Sequence, residues 1–432
     1  MKSFIISLAL CHALSMLSSG GKGRSAGPFT TMAFSPSPLP QLHGHSLSNS
    51  MPLTPLYMAD EIKEYRKGLS QIHKKDDESN GIPIQCVFKF GGSSLANAER
   101  IDHVANLIKD QIEEGYRPRA VVCSAMGKTT NNLLSAGEFA LDGQVSVDAI
   151  RTLHSATMDT LDIAQDSHTR SAVNELLDEC EQMLTGVKMI QELSPKSLDR
   201  LVSYGERCSV RIMACRLNQI GVPAQSFDSW DVGILTDSCF GDAKLLPSYE
   251  SSVRKSFENR IDPNTVAVVT GFIGHDPAGM ITTLGRGGSD LTATAIGAAL
   301  GLDEIQVWKD VDGILSTDPR IVPGAIPLDK VSFEEASELA YFGAQVLHPI
   351  AMQPAQKHGV PVRVKNSYNP SSVGTIISGE KSPENRLVCI IMIMMLSRKS
   401  GKMQMNVCWC VRVCMRAFVR CIWRWHSRCL LL

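Results

Sequence analysis

Short apolar runs alternate with longer amphipathic segments from residue 82 onwards. Segment 82–90 (IPIQCVFKF) is typical of a buried strand, and segment 97–115 predicts a helix because its apolar residues recur three or four positions apart. These residues are Ile101, Val104, Leu107, Ile108 and Ile112. Segment 171–193 has the same helical spacing, and Ser194 followed by Pro195 predicts the cap and first residue of another helix.

The remaining apolar runs predict further strands in alternation with helices. They cover 119–126, 223–229, 265–272, 304–311 and 360–366. Alternating strands and helices with near-continuous apolar strands predict a mostly parallel sheet with helices on both faces. Ligands of such sheets bind outside the carboxyl ends of the strands, so chemistry is expected at those ends.

Strand 82–90 ends in KFGGSS, where Lys89 precedes Gly91 and Gly92. Glycine lets backbone N–H groups approach an anion, and a helix start predicted near Asn97 would favour that anion further. The segment matches neither the GxxxxGK[ST] nor the GxGxxG phosphate-binding pattern. A phosphate contact and a purely structural turn both remain open for this motif.

Two more polar segments follow in the chain. Strand 119–125 leads into SAMGKTTNNLL, whose Thr129, Thr130 and Asn131 either hold a substrate or cap the next helix. In SYGERCS (203–209), Glu206 follows Gly205 at what is interpreted as a helix start. A glutamate there either binds a ligand or only complements the helix dipole.

The segment TLGRGGSD (283–290) precedes a run of small and apolar residues that predicts a helix up to Gly301. Arg286 offers a planar set of donors that suits a carboxylate or phosphate. Asp290 occupies the predicted N-cap position, from which it could also meet a metal ion or an ammonium group. The alternative is a tight turn with a helix cap.

Strand 304–311 runs into WKDVDGILSTDPR (308–320), a segment dense in charge. Its charged residues are Lys309, Asp310, Asp312, Asp318 and Arg320. VDG and DPR are turn sequences, but the charge beside an apolar strand favours polyphosphate and magnesium nearby. Polar motifs at several strand ends indicate one shared site.

Composition excludes some classes of partner and favours one kind of compartment. The chain of 432 residues carries 43 basic and 44 acidic residues, so no basic field predicts nucleic-acid binding. No stretch reaches the roughly 20 apolar residues of a membrane span. Six of the 13 cysteines fall in the last 44 residues, and the others are scattered singly, which favours a reducing compartment over a disulfide framework.

The amino-terminal composition predicts a targeting leader over 1–33 and a linker over 34–81. An apolar run follows Lys2, and residues 20–59 are rich in Ser and Pro without an acidic residue. TMAFSP (31–36) resembles the cleavage motif of two-part leaders of algae with secondary plastids. Plastid import is the favoured interpretation, and a secretory leader is the alternative.

The motifs together resemble the aspartate kinases of the amino acid kinase family, with plant and algal plastid enzymes the most similar. KFGGSS, SYGERCS, GFIGHDPAGMITTLGRGGSD, VWKDVDGILSTDPR and YFGAQVLHP occur in the family's order, within 82–380. The resemblance implies an αβα three-layer sandwich around a mainly parallel eight-stranded sheet. It also implies ATP with Mg²⁺, L-aspartate as phosphoryl acceptor and a homodimer as a candidate assembly. A non-catalytic relative or another kinase of this fold remains the alternative.

The resemblance also implies a role for individual residues. Lys89 and Asp290 would be catalytic. Substrate binding would involve Thr130, Glu206, Arg286, Gly287, Gly288 and Ser289. ATP binding would involve Lys89, Gly91, Gly92, Ser93, Lys309, Asp310, Arg320, Gln345 and Val346. Mg²⁺ would be bound with ATP rather than by a protein cluster.

The sequence departs from the family pattern at two places. Leu315 stands where many members have tyrosine, so a ring contact to the nucleotide is not expected. Residues 381–432 form an atypical tail where the family continues into regulatory ACT domains. Its Met-, Cys- and Arg-rich end is interpreted as an out-of-frame end, with a basic membrane-surface helix and a metal site as alternatives. We therefore expect no inhibition by lysine or threonine.

Overall fold

The computed structural model describes residues 83–315, 327–341 and 347–380. All of them belong to one unit of the chain, Lys67–Leu432. The predicted leader (1–33), linker (34–81) and tail (381–432) lie outside the described residues. The same is true of Arg320, Gln345 and Val346.

Strands and helices alternate along the described part of the chain, as the apolar pattern predicts. The strands are β1 Ile84–Phe90, β2 Tyr116–Cys123, β3 Ala224–Phe227, β4 Val266–Thr270, β5 Ile273–His275, β6 Ile281–Thr283, β7 Glu304–Lys309, β8 Ile314–Leu315, β9 Pro327–Leu328, β10 Lys330–Ser332, β11 Val362–Asn366 and β12 Thr375–Ser378. The α-helices are α1 Ala98–Glu113, α2 Thr129–Leu141, α3 Asp148–Thr160, α4 His168–Ile190, α5 Pro195–Gln219, α6 Tyr249–Asn259, α7 Gly288–Leu300, α8 Phe333–Tyr341 and α9 Pro349–His358. A short 3₁₀ helix, Gly92–Leu95, follows β1.

Eight strands form one sheet in the order β10-β12-β11-β7-β1-β2-β4-β3. Every neighbouring pair in it is parallel except β11 with β12, which is antiparallel. This confirms the predicted mainly parallel eight-stranded sheet. β5 and β6 form a separate antiparallel hairpin that leads to the glycine-rich segment 285–288.

Two hydrophobic cores lie on the two faces of the sheet, because successive strand residues point to opposite faces. In β1, Phe88 and Phe90 pack into the first core and Val87 into the second. Helices α1 to α5 contribute to the first core, and α6 to α9 contribute to the second. The arrangement is the predicted three-layer αβα sandwich.

Several helix boundaries agree with their sequence signals. The Asn97 side chain accepts a hydrogen bond from Arg100 N at the start of α1. Ser194 does the same for Ser197 N at the start of α5, with Pro195 as the first helical residue. Both caps satisfy a backbone donor that the first helical turn leaves without an intrahelical partner. Within the described residues, no helix is both long and apolar enough to cross a bilayer.

Candidate active site

The carboxyl ends of four adjacent parallel strands, β7, β1, β2 and β4, meet at one edge of the sheet. Backbone hydrogen bonds tie their exits together, from Ser124 N to Phe90 O at 3.2 Å and from Gly271 N to Cys123 O at 2.9 Å. The predicted motifs after β1, β2 and β7, together with the hairpin segment after β4, therefore converge as the sequence indicates.

The turns after β1 and β2 touch through their backbones. Gly127 N donates to Gly92 O at 3.0 Å, and a Cβ on Gly92 would lie 2.8 Å from Ala125 O. Only glycine fits at Gly92, because the obstructing atom is a backbone oxygen that cannot move aside. Gly91 lies beside Lys89, whose Nζ would be 3.7 Å from a Cβ at Gly91. The glycines thus keep the backbone close to the lysine ammonium.

Lys89 and Asp290 form a buried ion pair, with Nζ 2.6 Å from Oδ1. The prediction that Asp290 caps helix α7 is wrong. Gly287 occupies the cap with φ of 79°, and Asp290 is the third residue of the helix. The helix begins earlier than predicted because glycine at the cap adopts the left-handed conformation readily. Asp290 is consequently free to turn towards β1.

Lys309, at the end of β7, adds a second cation to this pair. Burial would raise the pKa of Asp290, but the ammonium groups of Lys89 and Lys309 outweigh burial and hold it below its ordinary value. Burial, partly offset by Asp290, lowers the pKa of Lys309. Asp290 is therefore ionised at neutral pH, between two lysines that could face a phosphate.

Glu206 lies below the exit of β2, but the prediction that it stands at a helix start is wrong. It is in the middle of α5, because the apolar spacing continues unbroken through residues 195–219. Its Oε1 accepts a hydrogen bond from Ala125 N at 3.3 Å, and its Oε2 has no hydrogen-bond partner among the described residues. Burial raises the pKa of Glu206 to about 8.

Gly205 brings Glu206 to this position. A Cβ on Gly205 would lie 2.8 Å from the Cβ of Ala125 and 3.2 Å from Cγ2 of Thr129. The absence of a side chain therefore lets α5 pack directly against the β2 exit. The neighbouring Arg207 turns away and pairs with Asp228 at 3.2 Å, so its role is structural.

Arg286 is exposed and makes no hydrogen bond or ion pair with any described residue. It lies between Gly285 and Gly287, which have φ of 67° and 79°. A Cβ on Gly287 would lie 2.8 Å from the Cβ of His348. The two glycines allow the backbone to turn sharply here. The Arg286 guanidinium is directed to solvent and is available to a ligand.

The other predicted substrate residues surround this turn. Ser289 Oγ accepts a hydrogen bond from Ser124 Oγ at 2.9 Å, which links the start of α7 to the β2 exit. Gly288 is buried against Phe272. Thr129 donates its hydroxyl proton to Met126 O at 2.7 Å, while Thr130 is only half-buried in the first turn of α2.

Comparison with known proteins agrees with these motifs. Residues 85–366 match the amino acid kinase family. The chain belongs to the amino acid kinase family.

Within the family, the similar proteins include aspartokinases of plants and bacteria. Aspartokinase 1, chloroplastic, of Arabidopsis thaliana is 47% identical over 72% of this chain and 55% of its own length. The aspartokinase of Thermus thermophilus is 35% identical over 66% of this chain and 58% of its own. The chain spans between 55% and 59% of the length of three Arabidopsis aspartokinases that it matches.

A solved structure has the same fold. Aspartokinase III of E. coli, crystallised with aspartate and ADP, superposes with a TM-score of 0.61 at 31% identity. The superposition covers 69% of this chain and 65% of that enzyme.

Two of the residues that are predicted to bind the nucleotide lie at the surface of this amino acid kinase domain. Ser93 and Asp310 are both exposed near the strand exits. Among the described residues, no three His, Cys, Asp or Glu side chains are placed to form a metal site.

Sequence reasoning missed two contributors to the site. The amide of Ala125 was not singled out, although it lies in the predicted turn and is the donor to Glu206. Asp199 was also missed. It lies seven residues before Glu206 in the same helix, and that spacing, close to two full turns, was the available signal.

Proposed function

We propose that the protein is an aspartate kinase, transferring the γ-phosphoryl group of ATP to the β-carboxylate of L-aspartate. The observation that carries this proposal is Glu206, a buried carboxyl group with one oxygen left without a partner among the described residues. A buried polar atom without a partner is costly, so a ligand donor is the expected complement. The ammonium group of an amino acid supplies that donor.

Arg286 provides the second contact that an amino acid requires. Its free guanidinium suits a bidentate contact with the α-carboxylate. Glu206 for the ammonium and Arg286 for the carboxylate together select a free α-amino acid. An N-acylated substrate would leave Glu206 without its cation.

The phosphoryl transfer needs no general base, because a carboxylate is already ionised at neutral pH. The barrier is the repulsion between two anions, so catalysis consists of positioning and of positive charge. Lys89, with the amides of Gly91 and Gly92, would stabilise the transferring phosphoryl group. Asp290 would hold Lys89 in place through the 2.6 Å ion pair. Lys309 and Asp310 would lie on the nucleotide side.

Mg²⁺ bound with ATP is part of the proposal. Mg²⁺ commonly keeps several waters and takes one or two carboxylates together with substrate phosphates. The ionised Asp290 beside Lys89 fits a carboxylate in such a set. When bound, the ion would neutralise phosphate charge, while the residues of the chain orient the two substrates.

The test is trapping of the acyl phosphate as a hydroxamate. The full chain is incubated with ATP, Mg²⁺ and hydroxylamine, in parallel with L-aspartate, L-glutamate or N-acetyl-L-glutamate. We expect hydroxamate with L-aspartate alone. Hydroxamate with N-acetyl-L-glutamate would assign a different kinase of the family, and none with any acceptor would support a non-catalytic relative.

We also infer a plastid location and, from the family resemblance alone, a homodimer. The acid-poor amino-terminal segment and the chloroplastic relatives support plastid import. The full chain fused at its carboxyl end to a fluorescent protein should enter plastids of an algal cell, and secretion would contradict this.

Light scattering of the purified chain tests the proposed homodimer, and a monomer mass would contradict it.

A further inference from the structure

Asp199 is a buried carboxylate at the edge of the candidate site that the mechanism above does not use. It lies in the second turn of α5 and is only 2% exposed. It has no ion-pair partner among the described residues. Three hydrogen bonds satisfy it instead, and all of them come from the chain that leads to Arg286 or from the loop beside it.

Two of these bonds come from Thr283, the last residue of β6 and three residues before Arg286. Asp199 Oδ2 accepts from Thr283 N at 2.9 Å, and Oδ1 accepts from the Thr283 hydroxyl at 2.8 Å. Both the backbone and the side chain of Thr283 are therefore fixed to α5. This is the point at which the chain leaves the hairpin and enters the Arg286 turn.

The third bond comes from a neighbouring loop. Asp199 Oδ2 also accepts from Gly241 N at 2.9 Å, and Ala243 N donates to Thr283 O at 2.8 Å. The side chain of Asp242 lies against Gly285, where a Cβ would be 2.6 Å from its Oδ1. The loop that contains Gly241 and the end of the hairpin thus support Gly285, the residue before Arg286. Asp199 connects both of them to α5.

Helix α5 also carries Glu206, seven residues later. Seven residues at 100° each bring the two carboxyl groups to nearly the same side of the helix, about 10 Å apart along its axis. One rigid element thus fixes both the proposed ammonium contact and the support of the proposed carboxylate contact.

We propose that Asp199 is a positioning residue that sets the placement of Arg286 relative to Glu206, and so the fit of the substrate α-amino acid group. The proposal rests on the proposed function for its substrate. Asp199 acts through Arg286 and does not touch the substrate itself. Its effect should therefore appear in the KM for aspartate and not in that for ATP.

Asp276 offers a matched control. It is 3% exposed and accepts bonds from Ala278 N, Met280 N and the Ser238 hydroxyl at 3.0, 2.8 and 2.8 Å. It stabilises the same hairpin at the end away from Arg286. Both Asp199→Ala and Asp276→Ala remove three hydrogen bonds, but only the first releases the Arg286 turn.

We expect Asp199→Ala to raise the KM for aspartate by between about 10- and 100-fold, the range that a small misplacement of a binding group can cause. The KM for ATP should change less than about twofold. Asp276→Ala should lower the melting temperature with little effect on either KM. Equal effects of the two substitutions on the KM for aspartate would show a purely structural role and overturn the proposal.

Two further variants sharpen the test. Asp199→Asn should restore most of the affinity, because its amide oxygen can accept both N–H groups and its NH₂ can donate to the Thr283 hydroxyl. In an Arg286→Ala background, Asp199→Ala should add little, since residues that act through one another are not additive. An undiminished effect in that background would mean that Asp199 does not act through Arg286.

A structural readout separates this proposal from the proposed function. Amide hydrogen exchange of peptides covering 283–288 should accelerate in Asp199→Ala and not in Asp276→Ala. That comparison requires no turnover. If the native chain formed no aspartyl hydroxamate but the exchange difference were present, the positioning of Arg286 would stand and the choice of substrate would fail. Unchanged exchange in Asp199→Ala would overturn the positioning itself.

Discussion

Lys89 is the residue whose removal should affect the chemistry most directly. It is a buried cation at the end of β1, paired with Asp290 and beside two glycines. We expect Lys89→Ala to lower kcat by about 10²–10³-fold, the loss typical for one charge-stabilising group. Circular dichroism should show an unchanged fold. The exposed Lys255 of α6 is the control, and Lys255→Ala should leave kcat unaltered. Near-normal turnover of Lys89→Ala would remove Lys89 from the mechanism.

Glu206 should make the binding of aspartate depend on pH. Its pKa of about 8 means that the free protein holds a proton on this carboxyl group at neutral pH. The substrate ammonium and this proton compete, so the KM for aspartate should fall as the pH rises towards 8. Steady-state kinetics at about pH 6, 7 and 8 measure this dependence, and a KM that rises over that interval would contradict the pairing.

The substitution Glu206→Gln tests the same contact. Above about pH 8, where Glu206 is ionised, it should raise the KM for aspartate by about 30-fold or more, since loss of a buried charge partner costs at least about 2 kcal/mol. The KM for ATP should stay constant. In Glu258→Gln, an exposed control in α6, the KM for aspartate and the KM for ATP should both stay unchanged. An increase in the KM for ATP instead would place Glu206 on the nucleotide side.

At the residue scale, the sequence identifies chemical types better than their exact placement. Lys89 and Arg286 lie where the motifs predict them, because glycines beside a strand end leave few alternatives. Asp290 and Glu206 lie at the candidate site, but the predictions of a helix cap and a helix start are wrong. The spacing of Asp199 from Glu206 does not reveal what Asp199 contacts, because its partners are 42 and 84 residues away in the chain.

Among the elements, the close contact between α5 and the exit of β2 holds Glu206 beside Ala125 at the candidate site. A methyl group at Gly205 would lie 2.8 Å from the Cβ of Ala125, which is fixed to the backbone of the turn. We expect Gly205→Ala to displace the helix and reduce kcat/KM for aspartate by about 10²-fold, as a misplacement of about 1 Å can do. Hydroxamate formation and the melting temperature both measure the outcome.

Gly186 is the matched control for this substitution. It also lies within a helix, α4, but a Cβ there would meet nothing within 4 Å. Gly186→Ala should therefore stabilise the protein by about 0.5–1 kcal/mol through helix propensity, with full activity. If Gly205→Ala were equally harmless, close packing of α5 would not be required.

The strands and the longer helices could be predicted because their apolar spacing is regular. Segments 97–115 and 171–193 correspond to α1 and α4, Ala98–Glu113 and His168–Ile190. Strand β12, which lies between β10 and β11 and runs antiparallel to β11, was missed, as were the short β8 and β9. Two- to four-residue strands carry too few positions for a period to show, and their pairing with distant strands decides them.

The stability of the whole protein depends on the ionisation of Glu206 at the candidate site. Glu206 is neutral in the folded protein up to a pKa of about 8 but ionises near 4.5 when unfolded. Its stabilising contribution is complete below about pH 4.5 and is lost as the pH rises towards 8. The buried His154 of α3 acts in the opposite direction. Burial lowers its pKa from 6.5, so its contribution is present above pH 6.5 and is lost as the pH falls.

Glu206 and His154 predict opposite dependences of folding stability on pH. Relative to the native chain, Glu206→Gln should gain stability as the pH rises from about 5 to 8, because glutamine cannot ionise in the unfolded state. His154→Leu should gain stability relative to the native chain as the pH falls from about 7 to 5, because leucine cannot be protonated. Urea unfolding at about pH 5, 6.5 and 8 measures both profiles.

A gain in Glu206→Gln of order 1 kcal/mol at pH 8, together with its loss of aspartate affinity, would identify a carboxyl group kept at the expense of stability for binding, a trade-off common at functional sites. The result depends on burial alone and not on turnover. If the stability of Glu206→Gln followed that of the native chain in parallel from pH 5 to 8, Glu206 would be ionised in the folded protein. Its role as a carboxyl group that awaits a cation would then be wrong.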